Sequence, residues 1–163
     1  MNARDLDAES IAHDTEGGTS DAVRLWLRLL GCTNTIERTL RAAFRRDFSS
    51  TLPRFDLMSQ LARQPEGMRM GELSRRLIVT SGNITGITDQ LVAEALVTRE
   101  APADDRRAYI VRLTLAGQAA FERMAEAHAT WVVDVFYGLS PQDRKQLQTL
   151  LGKLKSSIED RKR

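Results

Sequence analysis

The chain is poor in the residues on which most enzyme chemistry depends: among its 163 residues are one cysteine and two histidines. A lone Cys32 excludes an intrachain disulfide and suits a reducing compartment. With only His13 and His128 beside it, the sequence offers no metal-ligand cluster and no nucleophile–base spacing. A glycine-rich phosphate loop is absent too. No catalytic residue, metal or cofactor is therefore expected. No apolar run approaches the roughly 20 residues a bilayer span requires. The opening stretch, MNARDLDAESIAHDTEGGTSD, lacks the basic start and apolar centre of a secretory signal. The expected setting is the cytoplasm.

What is present is an uneven charge. Residues 1–21 hold one basic residue and six acidic ones, a charge of −5, which leaves +7 for the rest of a chain whose net charge is +2. An acidic, glycine-containing tail over residues 1–20, expected to be disordered, thus precedes a basic body that suits a polyanionic partner. Most of that basic charge is arginine, whose planar fork suits phosphate and base edges.

Helical periodicity dominates the body. Ser20 or Asp21 can cap a helix over 22–48, with Leu29, Thr33, Ile36, Leu40, Ala43 and Phe44 on one face and Arg38, Arg41, Arg45 and Arg46 on the other. Pro53 fits the start of a second helix over 54–63, with Phe55, Met58 and Leu61 inward. The breaker cluster Gln64-Pro65-Glu66-Gly67 ends it, and Met68 to Met70 suit a minimal strand. A short helix, GELSRRL, follows over 71–77. Thr80 or Ser81 can then cap another helix reaching about Leu96, with Ile84, Ile87, Leu91 and Ala95 on its inward stripe. Two such helices in sequence have the pattern of a helix-turn-helix.

The outer face of the second helix is unusual. Gly86 lies inside it, where glycine costs about 1 kcal/mol relative to alanine. Gly82 and Gly86 are one turn apart, so a partner can approach the backbone closely, with Asn83, Thr85 and Gln90 flanking it as hydrogen-bonding groups for base edges or phosphates. A weak surface helix tolerant of small residues is the plainer reading. The next segment favours DNA. Val97 to Arg99 and Tyr109 to Leu113 are β-prone, and Pro102, Asp104 and Asp105 mark a turn between them. Arg106 and Arg107 fall at the tip of that hairpin, with Asp105 spaced to orient Arg107 toward phosphates or a minor groove.

Thr114 can cap a helix to about Tyr137, in which Phe121, Met124, His128, Trp131 and Val135 recur. Gly138 ends it, and Ser140-Pro141-Gln142-Asp143 opens a last helix bearing Leu147, Leu150, Leu151, Leu154 and Ile158. The expected fold class is mainly α, a winged helix-turn-helix with a helical dimerisation region. A DNA-binding lobe over about 50–114 would be flanked by helices over 21–48 and 114–160. Their apolar faces exceed what one small lobe can cover, which implies a homodimer.

The motifs GELSRRL, SGNITGITDQLVAEALV, and Asp105-x-Arg107 followed by Leu113-Thr114-x-x-Gly117 together resemble the MarR family of bacterial transcription regulators over about Val23 to Ile158. The resemblance implies a homodimer whose recognition helices enter successive major grooves of a pseudo-palindrome. It assigns Ser81, Gly82, Asn83, Thr85, Gly86 and Gln90 to the recognition face and Arg107, with Asp105, to the wing tip. Gln90 stands where that family usually has arginine. Ala95 stands where it usually has glycine, which implies that the corner lacks the ordinary left-handed cap.

LWLRLLGCTN and TLPRFDLMSQL are most similar to regulators of aromatic-acid catabolism, including those released from DNA by an aryl-CoA thioester. The effector implied is a small aromatic compound, with Arg38, Arg41, Arg45, Arg46 and Arg54 for phosphates and Trp26, Phe44, Phe55, Met58, His128 and Trp131 for the aryl group. For each apolar member, plain core packing is the commoner role. Two rivals stay open. One is redox sensing through Cys32, against which the absence of neighbouring tyrosines and the usual burial of free cysteine both count. The other is a dimeric scaffold that binds protein.

Overall fold

The computed structural model describes residues 19–77, 84–101 and 109–161. Their order is α1 (Thr19–Phe48), α2 (Leu52–Ala62), β1 (Met68–Arg69), α3 (Met70–Arg76), α4 (Ile84–Ala93), β2 (Val97–Glu100), β3 (Ile110–Leu113), α5 (Leu115–Val135) and α6 (Pro141–Asp160). The three strands form one antiparallel sheet in the order β1-β3-β2. The protein is mainly α-helical with a small sheet, a winged helix-turn-helix. One compact unit runs to Phe121 and a second begins at Glu122.

The first unit is built around α2. Thr51 caps this helix, its Oγ1 accepting the Arg54 N–H at 3.4 Å, and Pro53 occupies the first turn, where its missing N–H costs nothing. Leu57, Met58 and Leu61 are fully buried with Phe44 of α1, Leu73 of α3, Leu91 of α4 and Val111 of β3. Phe55 lies 4.9 Å from Phe44 and 5.6 Å from Phe121, ring centre to ring centre, so the end of α1, the start of α2 and the start of α5 share one aromatic contact. After α2 the chain turns through Gly67 at φ +86°, where a Cβ would lie 2.7 Å from the Val111 carbonyl oxygen. No side chain fits there.

Three features differ from the expectations set by periodicity. The inward face of α4 is Ile84, Thr88 and Leu91, spaced i, i+4, i+7, while Ile87 flanks it at half burial and Ala95 lies beyond the helix end. Thr88 tolerates full burial because its hydroxyl donates to the Ile84 carbonyl at 2.8 Å.

Second, α4 ends at Ala93 rather than near Leu96, and it ends in a left-handed cap. Ala95 has φ 56°, the Leu96 N–H reaches the Leu91 carbonyl at 2.9 Å and the Ala95 N–H that of Val92 at 2.9 Å. That is the Schellman pattern, formed here without glycine.

Third, Cys32 is exposed rather than buried. It lies on the N-terminal half of α1, where Leu25 and Trp26 are also 65% and 59% exposed and only the last turns, through Leu40, Ala43 and Phe44, enter the core.

In the second unit, Ser140 and Asp143 form a reciprocal capping box at the start of α6. The hydrogen bonds from Ser140 hold the Asp143 carboxyl below its usual range. α6 buries none of its residues, although Leu147, Leu150, Leu151, Leu154 and Ile158 line one stripe.

Candidate nucleic-acid interface

The helix-turn-helix and the hairpin are fastened to each other by side chains. Of the residues expected on the recognition face, Thr85 and Gln90 are exposed on α4 and Gly86 is half-buried. Ser81, Gly82 and Asn83, and Asp105, Arg106 and Arg107, lie outside the described residues. Next to Gln90, Asp89 accepts from Arg99 of β2 at 2.6 Å. The Arg99 guanidinium also lies 5.1 Å from the centre of the Tyr109 ring, at the foot of the other hairpin arm.

Two further bonds brace the sheet. Arg112 of β3 donates through Nε to the Glu66 carbonyl at 2.7 Å and through Nη1 to Glu100 at 2.9 Å. The strand pairing runs from Val97 opposite Leu113 to Glu100 opposite Ile110. The ladder therefore ends at the pair Glu100 and Ile110, which forms the outer end of the hairpin base.

Spacing alone assigns no role to Asp89, Arg99 or the exposed Arg69 and Arg75. The strand alternation carries part of the signal, since in β1 Met68 points into the core and Arg69 away from it. The Asp89–Arg99 pair joins a helix to a strand and has no local spacing rule.

The residues expected to hold an effector are distributed differently. Phe44, Phe55 and Met58 are core, whereas Trp26 is exposed. Arg41 pairs with Glu37 on its own helix, and Arg46 makes a two-point contact with Asp47 at 2.6 and 2.8 Å that lowers the Asp47 pKa. Arg54 pairs with Glu94. Among the described residues Arg38 and Arg45 make no ion pair, and both are exposed. His128 and Trp131 lie one turn apart on α5, both half-buried, and burial pushes the His128 pKa down. No helix among the described residues is long and apolar enough to cross a membrane.

A helix pair followed by a braced two-stranded hairpin defines a winged helix-turn-helix protein. Within that class the MarR family is the one the comparisons support: its model matches residues 50–109, the whole span from the cap of α2 to the foot of β3. A crystal structure of a MarR family transcriptional regulator from Silicibacter pomeroyi is 29% identical and superposes with a TM-score of 0.77, covering 88% of this chain and 99% of that one. The HTH-type transcriptional repressor YetL of Bacillus subtilis is 30% identical over 83 residues, 51% of this chain and 50% of the relative. The transcriptional activatory protein BadR of Rhodopseudomonas palustris is 29% identical over 107 residues, 64% of this chain and 61% of the relative. The chain thus spans half to three-fifths of the curated relatives it matches. These relatives are transcriptional regulators, not enzymes.

Proposed function

We propose that the chain is a cytoplasmic, sequence-specific DNA-binding transcriptional regulator that works as a homodimer on a pseudo-palindromic operator. The observation that carries this reading is the outward edge of α4, with Thr85 and Gln90 exposed, tied to the hairpin base through Asp89 and Arg99. The pairing makes groove reader and wing one surface. In this reading Ser81, Gly82, Asn83, Thr85, Gly86 and Gln90 face the major groove, and Asp105, Arg106 and Arg107 reach the flanking backbone or minor groove.

The direct test is selection from a random duplex library with purified protein. A two-fold symmetric motif with half-sites about one helical turn apart supports the reading. No enrichment at low salt sinks it and leaves a winged helix that binds protein. Once the operator is known, Arg107→Ala is expected to weaken binding by about 1–3 kcal/mol with the fold intact. Unchanged affinity removes the wing from recognition.

The apolar side chains left outside in a single chain support the homodimer: Leu25, Trp26, Leu29 and Leu30 on α1, and the stripe of α6. Leu150→Glu with Leu154→Glu is expected to give monomers in sedimentation and to abolish operator binding. A variant that stays dimeric rules out that face.

The regulator is read as a repressor released by a small aromatic acid or its CoA thioester. Similar relatives carry both signs of regulation, one a repressor and one an activator, so the sign rests on where the operator lies against the promoter. A reporter assay with and without each compound tests both points. Exposed Arg38 and Arg45 can supply cationic groups for an anionic effector. The exposure of Cys32 favours a second reading, in which oxidation of that thiol releases DNA. Loss of operator binding on peroxide treatment, abolished by Cys32→Ser, is its signature.

A further inference from the structure

Glu94 directly follows the last residue of α4. A carboxylate there sits at the C-terminal end of the helix, where the helix dipole makes the field negative. Arg54, in the first turn of α2, brings its guanidinium onto that carboxylate across forty residues of sequence. The Arg54 side chain is only 14% exposed, and its Nε is buried without a hydrogen-bond partner. An unmet buried N–H opposes folding, so the contact with Glu94 has to hold the side chain in place.

Both ends of this link are anchored. The α4 end is fixed by the Leu96 N–H on the Leu91 carbonyl. The α2 end is fixed one residue on, where Phe55 meets Phe44 of α1 and Phe121 of α5. A continuous run of contacts therefore joins the aromatic contact at the base of α1 and α5 to the C-terminal end of the proposed recognition helix.

We infer that Arg54 is a positioning residue that, through Glu94, sets the orientation in which α4 is presented to DNA, and so governs operator discrimination without touching DNA. This rests on the DNA-binding reading above. Simple electrostatics makes a different forecast for Glu94, an unchanged ratio of operator to random-duplex affinity. Removing a negative charge from a DNA-binding lobe raises affinity for every duplex, whereas releasing α4 lowers affinity for the operator relative to random duplex.

The test uses the full chain with Glu94→Gln, Arg54→Met, which keeps the apolar stem, and the reversal Arg54→Glu with Glu94→Arg. Two quantities are read: the ratio of operator to random-duplex affinity, and amide hydrogen exchange over 88–96. Each single variant is expected to lower the ratio about fivefold and to speed exchange in that segment about fivefold, and the reversal to restore both.

Unchanged exchange in both single variants overturns the proposal. So does faster exchange with an unchanged ratio, which leaves the pair a mere fastening, and so does exchange that quickens equally throughout α2. Should the wild-type chain select no sequence at all, the DNA-binding reading fails and exchange alone decides. A faster rate rescued by the reversal keeps the hold of Arg54 on α4, and an unchanged rate ends it.

Discussion

Gly117 has no room for a side chain: a Cβ there would lie 1.9 Å from the Leu96 carbonyl oxygen. Around that contact Thr114 caps α5, accepting the Gly117 N–H at 2.9 Å and donating to the Ala95 carbonyl at 2.7 Å. The pattern Leu113-Thr114-x-x-Gly117 is thus a joint pressing the first turn of α5 onto the corner after α4. Gly117→Ala must push that corner away and is expected to destabilise the fold by about 1–3 kcal/mol, lowering the urea midpoint. Ala95, on the other side of the joint, holds the opposite margin. Its φ of 56° is one that only glycine adopts freely. Ala95→Gly is expected to stabilise by about 0.5–1 kcal/mol, net of the extra backbone entropy that glycine loses. A midpoint unmoved or lowered by Ala95→Gly means that the alanine is not strained. The left-handed corner could not be read from sequence because alanine there gives no sign of it. The Thr114 cap could, since it is a local hydrogen bond with a local spacing.

The same division holds for whole elements. Helix and strand positions were legible where one face meets a core: α2 through Phe55, Met58 and Leu61, β1 through Met68, and the β2–β3 hairpin through its turn residues. They were misread where packing is decided by distant neighbours. Thr88 turns inward against Met70, eighteen residues away, with the Ile84 carbonyl meeting its hydroxyl, and Cys32 stays outside because, among the described residues of α1, only those of its last turns are buried in the core. The candidate site follows suit. Thr85 and Gln90 were legible on the outer face of α4, while Arg99 and Glu94 act through partners ten and forty residues away.

One element-scale consequence concerns α5. Partial burial lowers the His128 pKa below the ordinary histidine value. The unfolded chain then binds a proton more readily than the folded one. Stability is full above the unfolded value, falls as pH drops through it, and levels off below the lowered folded value. His128→Gln is expected to flatten this acid-side decline. Urea midpoints compared at about pH 7.5 and about pH 5 give the check, bracketing the range in which histidine titrates. Equal slopes in both proteins would assign the decline to other groups.

At the scale of the molecule the governing quantity is the sign of charge along the chain. Residues 1–18 contain one basic and five acidic side chains, so removing them raises the net charge from +2 to +6. A segment of that sign covalently joined to a DNA-binding lobe competes with phosphate for the same arginines, at a local concentration set by the length of the tether. The competition is independent of base sequence, so it weakens random and operator DNA alike in absolute terms. Deleting residues 1–18 is therefore expected to raise the affinity for random and operator duplexes by the same factor, about two- to tenfold at low salt, with the gain shrinking as salt screens it. Fluorescence anisotropy on both duplexes at two ionic strengths separates the cases. A larger operator-to-random ratio after deletion would mean that the acidic segment acts on recognition itself rather than on the phosphate contacts beneath it.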